Sequence, residues 1–170
     1  MRHAKSSWND KALDDRERPL SSRGRAAAPR MGRAIAERKS IPDLILCSPA
    51  KRTRQTLDLA TGAMQAKPKS VISDALYVFG DGAAYLALIN KQDKAGATLM
   101  IIGHNPSIAA LADRLSAGGE ERSLEAMRGK FPAAATACIS FSAARWSDVG
   151  WGSGKLEWFL TPRTLDQAEP

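Results

Sequence analysis

The sequence has little cysteine, little histidine and few aromatics, and each scarcity closes off a class of protein. Two cysteines in 170 residues, Cys47 and Cys138, cannot build a disulfide framework. Each lies in an apolar stretch of strand-like composition, which predicts buried, reduced thiols. The two histidines, His3 and His104, are about a hundred residues apart with no CxxC pair to accompany them, so the spacing offers no metal site and no structural zinc is expected. Aromatics make up 6% of the chain, and none interrupts the arginines from Arg16 to Arg38, which leaves little stacking surface for single-stranded nucleic acid. No apolar run approaches the roughly 20 residues that cross a bilayer, and the polar start lacks a signal-peptide core. The expectation is a soluble, cytoplasmic protein with no membrane contact.

What is present is an uneven charge. The formal net charge is +7; residues 1–60 hold 14 Lys/Arg against 7 Asp/Glu, and the remainder holds 11 of each. A basic first third favours anionic partners without choosing among phosphate groups, acidic protein faces and nucleic acid. At 170 residues and 44% hydrophobic, the chain is the right size for one domain, 1–170.

From Pro19, "PLSSRGRAAAPRMGRAIAERKS" spaces Ala, Met and Ile helically among arginines and predicts an amphipathic helix to about Lys39, kinked or divided at Pro29. In "IPDLILCSPAKRTRQTLDLATGAM" an apolar strand, Leu44 to Cys47, stops at a turn. Ser48 as N-cap and Pro49 at the first helical position then open a helix carrying Leu57 and Ala60. A short strand near Val71 and Ile72, a loop through "YVFGDG" and a helix over 83–90 follow. "ATLMIIGHNPSIAALADRL" repeats the plan: strand Thr98 to Ile102, a Gly-His-Asn-Pro turn, and a helix through Leu115. "TACISF" and "KLEWFL" suit an antiparallel edge, and "GWGSGK" reads as a turn. Strands alternating with helices predict an α/β sandwich around a mainly parallel sheet.

In such sheets ligands gather beyond the carboxyl ends of the strands, at helix N-termini. "RHAK", "SPAKR" and "GHNP" all fall there, and both histidines are among them. Arg52, in the first turn of its helix near Ser48, is placed to share an anion with the helix end. Two arginines, two histidines and two helix ends describe a pocket for a tetrahedral dianion such as phosphate.

"RHAKSSW" resembles the RHG-type signature of the histidine phosphatase superfamily, "SPAKRTRQT" its second motif and "GHNP" its third, in matching order. "RPLSSRG", Leu76-Tyr77 and "FPAAA" near Phe131 are similar to the SixA-like phosphohistidine phosphatases, so the resemblance runs from Arg2 to about Pro162. It implies a phosphoglycerate mutase-like fold, a three-layer α/β/α sandwich around a mainly parallel sheet with an antiparallel edge. It also implies hydrolysis of protein phosphohistidine, without metal or cofactor, through a covalent phosphohistidine on His3. Arg2 and Arg52 would bind phosphoryl oxygens, His104 would complete the pocket, and Arg18, Asn105 and Ser48 would be further substrate-binding groups. The implied partners are a phosphorylated protein, such as a histidine-phosphotransfer domain, or a small phosphorylated molecule, with inorganic phosphate as product.

The sequence departs from the pattern twice. The resemblance implies a buried strand leading into the Arg-His pair, yet only Met1 precedes Arg2, so the first strand is expected to be missing or truncated and upstream residues are expected in the natural protein. No glutamate occurs between Glu37 and Glu120 to protonate a leaving oxygen. Asp74 and Asp81 are the remaining acid candidates, for an alternative reading as a broad phosphomonoesterase. A non-catalytic module binding phosphate or nucleic acid is a third reading, with nucleic acid disfavoured.

Overall fold

The computed structural model describes residues 1–92 and 98–167. Helix α1 (Ser22–Glu37) opens on Ser21, whose side chain accepts the Gly24 N–H. The division expected at Pro29 does not occur. Gly24 and Ala28 before it and Met31, Ala34 and Ile35 after it are all buried, so packing holds one continuous helix across the missing donor. Gly32 brings α1 against α2 (Lys51–Met64): a Cβ there would meet the Ala60 carbonyl oxygen at 2.2 Å.

Strands β1 (Leu44–Cys47), β2 (Lys69–Ile72) and β3 (Leu99–Ile102) form a parallel sheet in the order β2-β1-β3, with α3 (Ala83–Asn90) between β2 and β3 in the chain. After α4 (Ser107–Leu115), a second sheet is built from β4 (Ser116–Gly119), β5 (Thr136–Phe141) and β6 (Gly154–Leu160) in the order β4-β6-β5, with α5 (Glu121–Gly129) following β4 and α6 (Pro162–Asp166) following β6. The antiparallel pairing of "TACISF" with "KLEWFL" is present as β5 and β6, and β4 adds beyond β6 in parallel.

Alternation along the strands makes three layers. Ile45, Cys47, Met100 and Ile102 join the core under α1 and α2; Leu46, Ile101 and Leu156 join the core under α3, α4 and α5. Strands buried on both faces read as unbroken apolar runs, which is why "LILC" and "LMII" are visible in the sequence.

Met1, Arg2 and His3 lie in the seam between the two sheets, where a strand leading into the Arg-His pair was expected. The Met1 amino group donates to the Ile101 carbonyl at 2.7 Å, and Gly103 N–H donates to the Met1 carbonyl. Arg2 forms a parallel bridge with Gly103, its N–H reaching the Ala135 carbonyl at 2.9 Å; His3 N–H donates to the Gly103 carbonyl, and Ala134 N–H to that of His3. Three residues therefore anchor His3 from both sides. Further along the seam, two cavities of about 430 and 110 Å3 separate the strands, both lined by Met1, Leu99, Ile101, Ala137, Ile139 and Phe141.

Candidate active site

The end of this seam opens into a cavity of about 890 Å3 that gathers Arg2, His3, Arg18, Arg52, His104 and Asn105. His3 donates from Nδ1 to the Ala4 carbonyl at 2.7 Å, which leaves the Nε2 lone pair for the cavity. Burial pushes its pKa down to about 4 against the pull of that carbonyl, and the Arg52, Arg2 and Arg18 charges add to the lowering, so the ring is neutral at pH 7. The next residue is pinned to α2: Ala4 N–H donates to Thr56 Oγ1, which donates to the Arg52 carbonyl, while Gln55 Oε1 accepts the Leu20 N–H. This is the structural use of the Gln-Thr pair in "SPAKRTRQT".

His104 enters from the end of β3, fully buried, with its N–H donated to Tyr85 Oη at 3.1 Å. Gly103 is needed for that approach, because a Cβ would meet Tyr85 Oη at 2.5 Å. Arg52 can only donate, so His104 Nδ1 accepts from Arg52 Nη2 at 3.3 Å. The proton then sits on Nε2 and is donated to Ser48 Oγ at 2.7 Å. Burial, then the neighbouring His3 and Arg52, lowers the His104 pKa to about 3. The two imidazoles face each other with ring centroids 5.1 Å apart.

Ser48 departs from its expected place. Helix α2 begins at Lys51 with Ala50 as a cap that makes no side-chain bond, because the Ser48 hydroxyl is turned instead to His104. Fully buried and absent from the cavity lining, Ser48 backs His104 and does not face a substrate. Neither Lys51 nor Ser107, the first residues of α2 and α4, lines the cavity, so the polar groups there are side chains and not helix ends.

Arg2 donates through Nη1 to the Phe131 carbonyl at 2.9 Å, as Asn105 does through Nδ2 at 3.0 Å, and Arg2 Nε is buried with no hydrogen-bond partner. Burial lowers the Arg2 pKa, the mark of a cation short of an anion. Arg18 lines the cavity, where a phosphate ligand was expected, and is also held by the protein. It donates to Ser7 O, Asp15 Oδ1 and Ser6 Oγ through its three nitrogens, and its guanidinium lies 3.1 Å from the Trp8 ring centroid. Asp74 and Asp81 are outside the lining, exposed and ion-paired to Arg16 and Arg114 respectively.

Sequence reasoning missed Asp15 and gave Tyr77 no role beyond its place in the resemblance. Asp15 accepts from Arg18, from Arg52 Nη2 at 2.9 Å and from Tyr77 Oη at 2.7 Å. These three donors outweigh the effect of burial and hold its pKa down to about 2. Among the described residues it is the one carboxylate lining the cavity. The available signal was the i, i+3 spacing of Asp15 and Arg18 in "DDRERPL", which is common on helix surfaces. Lys5, Arg23, Lys130 and Arg163 form an exposed cationic rim, beside the exposed aromatics Trp8 and Phe79.

A family model of the histidine phosphatase superfamily (branch 1) matches residues 1–76. An uncharacterised protein of Mycobacterium tuberculosis is 34% identical over 168 residues, which cover 96% of this chain and 100% of that protein. Two solved structures are similar over most of their length. A SixA phosphohistidine phosphatase candidate from Agrobacterium tumefaciens is 30% identical with a TM-score of 0.77, covering 95% of each chain. Its counterpart from Nakamurella multipartitia is 28% identical with a TM-score of 0.78, covering 95% of this chain and 93% of the other.

Proposed function

The chain belongs to the histidine phosphatase superfamily, in its SixA-like branch, and from that premise we propose that it hydrolyses phosphohistidine in a protein through a covalent intermediate on His3. His3 Nε2 attacks phosphorus in line and the P–N bond of the substrate breaks, its electron pair staying on the leaving imidazole. Water then attacks the phosphorus carried by His3, the P–Nε2 bond breaks with its electron pair returning to the His3 ring, and inorganic phosphate leaves with the water's oxygen and protons. Arg2 and Arg52 meet the charge that spreads over the equatorial oxygens, and His104 closes the opposite side.

The observation that carries this reading is the lack of a usable acid beside the nucleophile. Asp15 is the one carboxylate of the lining among the described residues, and with a pKa near 2 it holds no proton to give at neutral pH. An alkoxide leaves badly without a proton, whereas a substrate imidazolium departs as neutral imidazole with no proton delivered to the breaking bond. The exposed pairing of Asp74 and Asp81 outside the cavity argues against the phosphomonoesterase alternative. The cationic rim supports a phosphohistidine set in acidic surroundings, such as that of a histidine-phosphotransfer domain.

Mass spectrometry after brief mixing with a phosphohistidine donor tests the reading. It should find one phosphoryl group on His3, and neither adduct nor turnover in His3→Ala. Turnover of the donor should exceed that of an alkyl phosphate by roughly 100-fold or more, the usual worth of a general acid. Equal turnover of the two would mean that an acid is present and would remove the reading.

A further inference from the structure

Arg52 has five N–H groups, and three are committed: Nη1 to the Asp15 carbonyl, and Nη2 to Asp15 Oδ2 and His104 Nδ1. Asp15 thus grips one edge of the guanidinium through both its backbone and its carboxylate, and Nε with one Nη1 proton remains for phosphoryl oxygens. The grip is itself backed. Arg18, only 7% exposed, has each nitrogen on a protein acceptor and one face on Trp8, so three of its five N–H groups are held by the segment that carries Asp15. Releasing Asp15 would leave the buried Arg18 charge uncompensated, which opposes any movement of the carboxylate out of the way of a substrate. Tyr77 closes the set: its hydroxyl donates to Asp15 Oδ2 while its ring meets His104 edge-on at 5.4 Å. One carboxylate therefore sets the angle of a phosphate-facing arginine and of an aromatic wall of the nucleophile's partner.

We propose that Asp15, fixed by Arg18, is a positioning residue for phosphoryl transfer, holding Arg52 at the angle the transition state requires, and that Arg18 acts through Asp15 and not on phosphate. The proposal rests on the phosphoryl-transfer reading above but not on the identity of the leaving group. Misaiming an oriented donor costs more in the transition state than in the ground state.

The test is a double-mutant cycle of Asp15→Asn, Arg18→Met and the pair, with p-nitrophenyl phosphate kinetics, inhibition by orthovanadate and the thermal midpoint of each variant. Asp15→Asn should lower kcat by about tenfold or more with KM within roughly threefold, and vanadate should bind more weakly by a similar factor. Arg18→Met should do the same, and the double variant should be no worse than the worse single change. Additive losses would make Arg18 an independent phosphate ligand and overturn the proposal. Tighter binding of inorganic phosphate by Asp15→Asn would do so too, because the carboxylate would then be a competing anion. If Arg18→Met does not fold, Arg18→Lys replaces it, and its kcat should fall with that of Asp15→Asn while KM holds. Wild-type protein that turns over p-nitrophenyl phosphate but no phosphohistidine donor would sink the substrate reading and leave the cycle fully interpretable.

Discussion

At one end of the seam between the two sheets, five main-chain hydrogen bonds join Met1, Arg2 and His3 to Ile101, Gly103, Ala134 and Ala135. At the other end the same two strands, β3 and β5, stand apart across cavities of about 430 and 110 Å3. The first end carries the candidate chemistry, and there the backbone that holds His3 and the His104 ring are fully bonded while Arg2 Nε and Asn105 Oδ1 are buried without a partner. The second end is lined mostly by apolar side chains, with Lys39, Ser40, Thr98, Ser140 and Arg145 at the larger cavity, and β3 and β5 do not pair with each other among the described residues. At the first end main-chain bonds on both sides fix the nucleophile, whereas at the second the facing strand edges border cavities and are packed less closely.

Acid should separate the two ends most strongly. The Met1 amino group, fully buried, has its pKa lowered by burial from 8.0 to about 5, so the unfolded chain binds more protons between those values and stability falls as pH drops through that window. The loss by pH 5 is on the order of 4 kcal/mol. His3 and His104, lowered to about 4 and 3, begin to add only below pH 6.5. Denaturation midpoints should therefore decline between pH 8 and 6.5 through the seam alone, and more steeply below. A level midpoint across the upper interval would put the amine in water and dissolve the contrast.

Gly103→Ala strikes the point where the ends meet. The new Cβ would lie 2.5 Å from Tyr85 Oη and 2.6 Å from its ring, displacing the acceptor of the His104 N–H and the strand bridge to Arg2. A loss of about 3 kcal/mol is expected from urea denaturation, with activity falling alongside. Retained activity at reduced stability would show that the site does not depend on this contact.

Filling the open end should act in the opposite direction. Extending the chain upstream of Met1 by four or five alternating β-branched residues would turn the buried amine into an amide and offer pairing to the edges of β3 and β5. A gain of roughly 2 kcal/mol, with the pH dependence between 8 and 6.5 abolished, is expected from thermal unfolding. A gain without that flattening would mean that the extension packs elsewhere.

Legibility in the sequence follows the same division. Runs buried on both faces, Leu44–Cys47 and Leu99–Ile102, announce themselves, and so does the amphipathic α1. The strand Ser116–Gly119 does not, because "SAGG" has no strand propensity and owes its conformation to β6. Within the site, motif order brought His3, Arg2, Arg52 and His104 to one cavity. Ser48 was misplaced because Ser-Pro before a helix is also the signature of a cap, and the competing bond to His104, 56 residues away, leaves no local trace. Asp15 went unnamed although its partner Arg18 is three positions away, because its place in the site shows only in its contacts with Arg52 and Tyr77, 37 and 62 positions away.

The smallest expected effect is that of Ser48→Ala, and it tests whether the well-bonded end really depends on saturation. The hydroxyl is the acceptor that fixes the proton on His104 Nε2, which in turn keeps Nδ1 open to Arg52. Without it, a buried N–H loses its partner, a cost of about 1 kcal/mol in stability. The alternative tautomer would place an Nδ1 proton against the Arg52 donor, so relieving the first defect creates a second. Activity should therefore fall by about tenfold, more than so small a stability change would produce through unfolding, and nitrogen chemical shifts of the ring should report a mixed protonation pattern. Ser48→Thr, which keeps the acceptor, should restore the single pattern if Thr fits beside Cys47. An unchanged ring spectrum in Ser48→Ala would mean that Arg52 alone fixes the tautomer, and that saturation at this end exceeds what the chemistry needs.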